Sequence, residues 1–318
     1  MRRFANEVFI CGDLVENKLE EGADKNGNDV IKGSLILRTA DKSEHIVNYY
    51  CSRFKTDLNG NVIGEERKSY TDLRDALSYK DMKHCAEGEN PDVVRTFRAR
   101  FDDNTYCPKG STNVFEGVRI SAQGAYLVSP SDYDSTEKTA TYKVEGIIES
   151  IEEEMKNDEI TGNLEIKMNL LNQRNDDYSN ANTFEATALF PIRLTVLKDL
   201  AEAFTQTGYY EGCVTDFTGG IVNVRTVETF TEKRAFGNDV VNTRRVTTHR
   251  HEILTGGDFK SIYDVDLDDD TINALIEKRK MKIKELKEGR NSNNGGFSKA
   301  ATEAPKMSSN PFNPFAKK

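Results

Sequence analysis

The chain of 318 residues contains no tryptophan and only 4 histidines, 5 cysteines and 7 prolines. The cysteines (Cys11, Cys51, Cys85, Cys107, Cys213) are scattered, odd in number and without a CxxC pair. That excludes a secreted disulfide scaffold and is expected of reduced thiols in the cytoplasm. No apolar run approaches the ~20 residues of a membrane-spanning helix, and the mean hydropathy is −0.66. Glu7 and Asp13 interrupt the stretch after Met1-Arg2-Arg3, so no secretory signal is expected. GxxxxGK[ST], a GxGxxG after a strand, HExxH and GxSxG are all missing. His84 or Cys85 taken with Cys51 and Cys107 lacks the close ligand pairs of a zinc site. An enzyme, a metal and a cofactor are therefore not expected.

Charged residues are abundant, with 44 Lys and Arg against 53 Asp and Glu, a net charge of −9. The length suggests about two domains, each able to bury a core.

The strongest positive feature is an internal repeat. Val8-Phe9-Ile10-Cys11-Gly12-Asp13-Leu14 returns in shape at Tyr142-Lys143-Val144-Glu145-Gly146-Ile147-Ile148. Ile31 to Arg38, with Gly33, is matched by Ile160 to Lys167, with Gly162; Phe115-Glu116-Gly117-Val118 is echoed by Tyr210-Glu211-Gly212-Cys213. Each anchor alternates with period two around a glycine, the pattern of a half-buried strand that bends. Further strands are expected at His45–Phe54, Ala125–Val128, Thr183–Phe190 and Ile221–Val227. A turn is expected at Asn59-Gly60, and helices at Tyr70–Ala86 (with a capping box at Ser69–Asp72) and Leu194–Thr205. The order strand, strand, strand, helix, strand, strand occurs twice and looks like the OB-fold, a five-stranded Greek-key barrel.

The fold class is thus mainly β with a few helices. Two OB-fold-like five-stranded barrels stand in tandem (1–137 and 138–262), the second with an added β-hairpin at 228–254. An acidic run (Asp264 to Asp270) leads into a charged helix from Thr271 to about Glu288 (263–290). The polar tail, 291–318, is expected to be disordered. It ends in a Pro-Phe sequence, whose Phe312, Pro314 and Phe315 suggest a partner-docking peptide.

Cations and aromatics interleave on the β-rich segments. In the first half these are Arg38, Tyr49, Tyr50, Arg53, Phe54, Arg95, Phe97, Arg98 and Arg100. In the second half they are Lys167, Arg174, Arg193, Arg234, Phe236, Arg244, Arg245 and Arg250. A groove for single-stranded nucleic acid needs this mixture, because cations follow phosphates and rings stack on bases at ~1–3 kcal/mol each. Part of the aromatic set must fill the cores: Phe184, Ala186, Ala188 and Phe190 alternate on one face, and Phe115, Tyr126 and Phe204 are also expected inside. The net acidity argues against a generic nucleic-acid binder. The acids, however, concentrate in 141–160 and 264–270, which leaves the candidate grooves neutral or positive.

With the glycine strands at Gly12/Gly33 and Gly146/Gly162 and the Pro-Phe ending, the chain resembles phage-type single-stranded DNA-binding proteins built from OB-folds. The resemblance implies a cytoplasmic, non-enzymatic protein of a bacteriophage that protects single-stranded DNA during replication, recombination or repair. It also implies that the tail recruits replisome or recombination proteins. Here Ala316-Lys317-Lys318 come after Pro314-Phe315, a departure from acidic tails that end in Pro-Phe. The alternative is a structural or virion-assembly protein that uses the same barrels as a protein-interaction scaffold.

Overall fold

The computed structural model describes residues 1–288, apart from 57–61, 109–110, 112, 157, 176–183, 233, 235 and 237–239. The expected Asn59-Gly60 turn and the tail, including Phe312, Pro314 and Phe315, lie outside the described residues.

The first half comprises β1 (Asn6–Asn17), β2 (Glu20–Ala23), β3 (Asp29–Arg38), β4 (Glu44–Ser52), β5 (Lys55–Thr56), β6 (Val62–Ile63), α1 (Lys68–Ala76), β7 (Val93–Phe97), β8 (Arg100–Asp103), β9 (Val118–Ala122) and β10 (Gly124–Leu127). The second comprises β11 (Ala140–Lys156), β12 (Glu159–Asn175), β13 (Phe184–Val196), α2 (Lys198–Thr207), β14 (Val214–Glu232) and β15 (Val240–Gly256), succeeded by α3 (Asp269–Lys287).

The pairings close two barrels of the same topology. In the first, β1 pairs with β3, β3 with β4, and β4 in parallel with β9. The hairpin of β7–β8 with β9–β10 then returns to β1 through β7. In the second, β11 pairs with β12, β12 with β13, β13 in parallel with β15, β15 with β14, and β14 with β11. Each helix lies between strands three and four, as the repeat implies. The sheet also runs from barrel to barrel, because β1 pairs antiparallel with β11 across Asn6–Ile10 and Ala140–Val144.

Gly12 and Gly146 explain why the repeat is visible. A Cβ at Gly12 would lie 2.4 Å from the Arg38 carbonyl oxygen, and one at Gly146 would lie 2.4 Å from that of Asn169. At both sites strand one is crossed closely by the backbone of strand two, so no side chain fits.

Period-two alternation fills the barrels. Val47, Tyr49 and Cys51 on β4 point inward against Leu35 and Leu37 on β3, while Phe190, Ile192 and Leu194 fill the second barrel with Ile166 and Met168. At the junction the Phe101 and Tyr142 rings meet at 6.0 Å, with His251 5.1 Å from Phe101. Asn223 on β14 donates to Ser43 Oγ (3.0 Å) and to the Glu44 carbonyl (2.6 Å). Burial holds His45 and His251 neutral, lowering each pKa from 6.5 to about 4.

Several local expectations are corrected. The third anchor is not a strand: Tyr210–Cys213 is a turn before strand four, whereas Phe115–Gly117 precedes strand five. Phe115 is not core but half exposed, stacked on Tyr106 at 5.7 Å. Helix α1 ends at Ala76, and its N-cap is Arg67 without a side-chain cap, so Ser69–Asp72 forms no capping box. Leu194 belongs to β13, where it fills the barrel, and α2 starts at Lys198. The expected 228–254 hairpin exists, and its arms are continuous with strands four and five of the second barrel: β14 and β15 stay in register from Gly219↔Ile253 to Glu232↔Val240.

The acidic run is used locally. Asp264 completes a capping box with Ser261, and Asp268 caps α3 by accepting from the Thr271 N–H (2.7 Å). The α3 helix sets Leu275 into an apolar cluster with Leu171, Leu189 and Phe4. Arg279 then donates to the Leu189 carbonyl (3.0 Å) and to Thr105 (3.2 Å) and Glu116 (2.6 Å), and Lys282 pairs with Asp103 (2.6 Å). One helix therefore ties the second barrel's strand three to the first barrel's strand-four–five hairpin. Among the described residues no helix is long and apolar enough to cross a membrane.

Candidate nucleic-acid interface

Small barrels of this topology take extended ligands on the outer face of strands two and three, flanked by the loops between strands one and two and between four and five. In the first barrel that face pairs Lys32 with Tyr50, Ser34 with Asn48, Ile36 with Ile46, and Arg38 with Glu44. Tyr50 is half exposed, whereas Tyr49 is fully buried. Tyr49 is therefore a core residue that cannot meet a base. A shift of one position along a strand reverses the face, and Tyr50 is the aromatic on the outside.

The cations of this region have acidic partners. Arg38 pairs with Glu44 at 2.5 Å, and Arg53 with Asp29 and Glu66, each at 3.1 Å, while Arg53 also covers the Phe54 ring at 5.3 Å. Arg100 pairs with Asp102 at 2.9 Å.

In the second barrel the acids of 141–160 do not all stand apart from the grooves, as the charge distribution had implied: two of them, Glu149 and Glu154, meet cations, and Glu165 beyond the segment meets a third. Lys167 pairs with Glu149 (2.5 Å), Arg193 with Glu165 (2.8 Å), and Arg250 with Glu154 (3.2 Å). Although burial opposes it, hydrogen bonds from Thr161 and Asn163 and the charge of Arg250 hold the Glu154 carboxyl below the usual carboxylate range. Further along the same face, Leu171 and Leu189 are register partners lying in the apolar cluster with α3.

The β14–β15 ribbon differs. Register places Asn223, Arg225, Val227, Thr229 and Thr231 on one face, opposite His249, Thr247, Arg245, Thr243 and Val241. That face holds no acid, and Arg225 and Arg245 are exposed, diagonal neighbours with no acidic partner among the described residues. Arg225 escapes a sequence search because it sits alone among Val and Thr; the strand register brings Arg245 beside it. Arg244 is the register partner of Glu228, and Arg250 lies on the face that meets Glu154. At the tip Phe236 is almost fully exposed, and Arg234 is exposed as well. Arg174 is exposed near the end of β12.

The remaining set, Arg95, Phe97 and Arg98, lies on strand four of the first barrel, which is bordered by strands one and five and does not adjoin strand two or three. The sequence-derived cations thus fall on four surfaces rather than in one groove. Among the described residues no cluster of His, Cys, Asp and Glu could hold a metal ion.

Comparison with curated proteins finds no match. Among solved structures, the wild-type single-stranded DNA binding protein from Thermus aquaticus is similar at 13% identity and a TM-score of 0.44, covering 80% of this chain and 93% of that one. A deletion variant of the Thermus aquaticus protein scores 0.41 at 13% identity, covering 80% of this chain and 95% of its own. The family model described as YorF matches residues 5–289, nearly the whole described chain, and on that match the protein belongs to the YorF family.

Proposed function

We propose that this protein binds single-stranded DNA without sequence preference. The observation that carries the reading is the acid-free, exposed face of the β14–β15 ribbon in a chain of net charge −9. Its Arg225 and Arg245 meet no acidic partner among the described residues. Phosphates would track these guanidinium groups while bases stack on Phe236 at the tip, and on Tyr50 where a longer strand reaches the first barrel. Stacking accepts every base, which is why no sequence preference is assigned. The ion-paired cations Arg38, Arg53, Arg100, Lys167 and Arg193 would exchange carboxylate for phosphate, a cheap step because solvent-reached pairs hold by only about 0–1 kcal/mol, whereas the more enclosed Arg250–Glu154 pair would yield less readily. Arg174 and Arg234 would add further cations to the footprint.

The finer reading is protection of single-stranded DNA during replication or recombination in a phage-infected cytoplasm, with the tail from residue 291 recruiting partners. The protein would act by binding and not by turnover.

The test is fluorescence anisotropy of the full chain with labelled dT oligomers of increasing length, at several salt concentrations and against a duplex. Tight binding that prefers single strands and weakens steeply with salt is expected. Arg225→Gln with Arg245→Gln should lower affinity about tenfold and flatten the salt slope by about 1.4. Absence of binding at low salt would overturn the reading. A scaffold role draws on Val227 and Val241, each about two-thirds exposed on the same face. Protein capture that persists at high salt, without DNA binding, would favour it.

A further inference from the structure

Strand four of the first barrel carries one residue more than strand four of the second. Val94 faces Gly12, and Thr215 faces Gly146 in the matching register. Four positions back along strand one, Val8 faces Ala99, and Tyr142 faces Gly219. The first barrel therefore takes five steps between these points and the second takes four. The additional residue is at Arg98, whose φ of +49° is a left-handed conformation that side chains avoid. Such an insertion is a β-bulge, and a bulge re-aims side chains.

Strict alternation would turn Arg98 inward from its neighbour Phe97. Instead both are exposed, and the Arg98 guanidinium covers the Phe97 ring at 5.2 Å. Arg95 lies two residues back on the same outer face, and the Phe97 ring meets that of Tyr126 at 5.3 Å. Neither arginine has an acidic partner among the described residues. Phe9 and Leu127 are also exposed beside them, where a cleft of about 540 Å³ opens next to Arg95, with Asp132 and Glu137 also in its lining but not ion-paired to Arg95. The second barrel has none of this: Asp216 takes the place of Arg95, Thr218 that of Phe97 and Gly219 that of Ala99, and no residue corresponds to Arg98.

A scaffold that needed only the bulge could place glycine at position 98, since glycine accepts a positive φ without strain. Keeping an arginine in a strained conformation over an exposed ring indicates a ligand for the pair. Two guanidinium groups without acidic partners, flanking an exposed aromatic face, match a phosphate–base–phosphate repeat.

We propose that Arg95, Phe97 and Arg98 form a second contact site for single-stranded nucleic acid, on the face of the first barrel away from strands two and three. This rests on the DNA-binding reading and extends the footprint to a strand long enough to leave the ribbon and reach a second surface.

The test compares the full wild-type chain with Arg95→Gln/Arg98→Gly, with Phe97→Leu and with Arg225→Gln/Arg245→Gln, on dT oligomers of increasing length across salt. Glycine accepts a φ of +49°, so the Arg98→Gly chain should keep a thermal midpoint at least equal to the wild type's once Arg95→Gln is measured alone. Long oligomers should bind the Arg95/Arg98 variant about tenfold more weakly, with a salt slope flatter by about 1.4, while short ones are unaffected. Phe97→Leu should weaken long-oligomer binding about fivefold without changing the slope, since stacking carries no counterion release. If wild type binds and the ribbon variant is impaired, yet the Arg95/Arg98 variant keeps full affinity and slope at every length, this site is refuted and the ribbon reading stands. If wild type binds no oligomer, both fall.

Discussion

The two barrels share a topology and a glycine at the same crossing, yet their surfaces are used differently. In the first, strands two and three present an open face with Tyr50, Asn48 and Ile46. In the second, that face is partly occupied, because α3 covers its Leu171–Leu189 end; in both barrels acids hold the face's cations. The second barrel instead projects a long ribbon from strands four and five, where the first has a shorter hairpin carrying the Tyr106–Phe115 stack. A barrel's interior constrains its sequence through volume and crossing geometry, whereas its outer face is free to diverge. A duplicated fold therefore need not duplicate its site.

The sharpest way to break the comparison is at the shared crossing. Gly12→Val and Gly146→Val should each destabilise the protein by about 3 kcal/mol or more, because the new side chain meets a strand-two carbonyl. Urea unfolding measures it, and tolerance at either position would show that the two crossings are not equivalent.

The junction between the barrels should respond to acid. His45 and His251 titrate near 6.5 when unfolded and about 4 when folded, so the unfolded chain binds more protons between those values. Stability should be flat above pH 6.5 and fall as pH drops towards about 4, on the order of 3 kcal/mol per histidine by pH 4 and about 2 by pH 5. Tracking urea midpoints from pH 7 to pH 5, before carboxylates dominate, separates this effect; His251→Gln should reduce the slope.

The tie made by α3 comes next. Arg279→Ala leaves Asp103 and Glu116 without that partner and should cost about 2 kcal/mol, with increased protease sensitivity around residue 116 if the tie is what holds the first barrel's hairpin. The smallest effect is expected at the exposed pair of Lys167 and Glu149. Glu149→Gln should shift stability by less than about 1 kcal/mol while raising DNA affinity modestly, by releasing Lys167 for phosphate. A fall in affinity would mean that this face is not on the path of the strand.

Much of the fold is legible along the chain because its causes are local or repeated. Gly12 and Gly146 announce the crossing, alternation marks inward residues such as Leu35 and Ile166, and the order of elements implies the barrel. The site is less legible. Tyr49 and Tyr50 are neighbours of the same type, and only the strand's phase decides which one meets solvent. The likeness of Phe115–Val118 to Tyr210–Cys213 reflects composition around a glycine, not equivalent elements. Capping at Ser69 fails because the helix begins two residues earlier than expected, at Lys68 after Arg67.

The sequence by itself determined the tandem β architecture, since periodicity and the two glycine crossings are properties of neighbouring residues and of the spacing between copies. Tertiary structure alone decided which cations meet an acid. Lys167, Arg193 and Arg250 look as available as Arg245 until the strands pair and bring Glu149, Glu165 and Glu154 alongside. Arg225 looks isolated until register sets Arg245 diagonally beside it. Charge acts over a few ångströms of space, and distance along the chain does not report that separation.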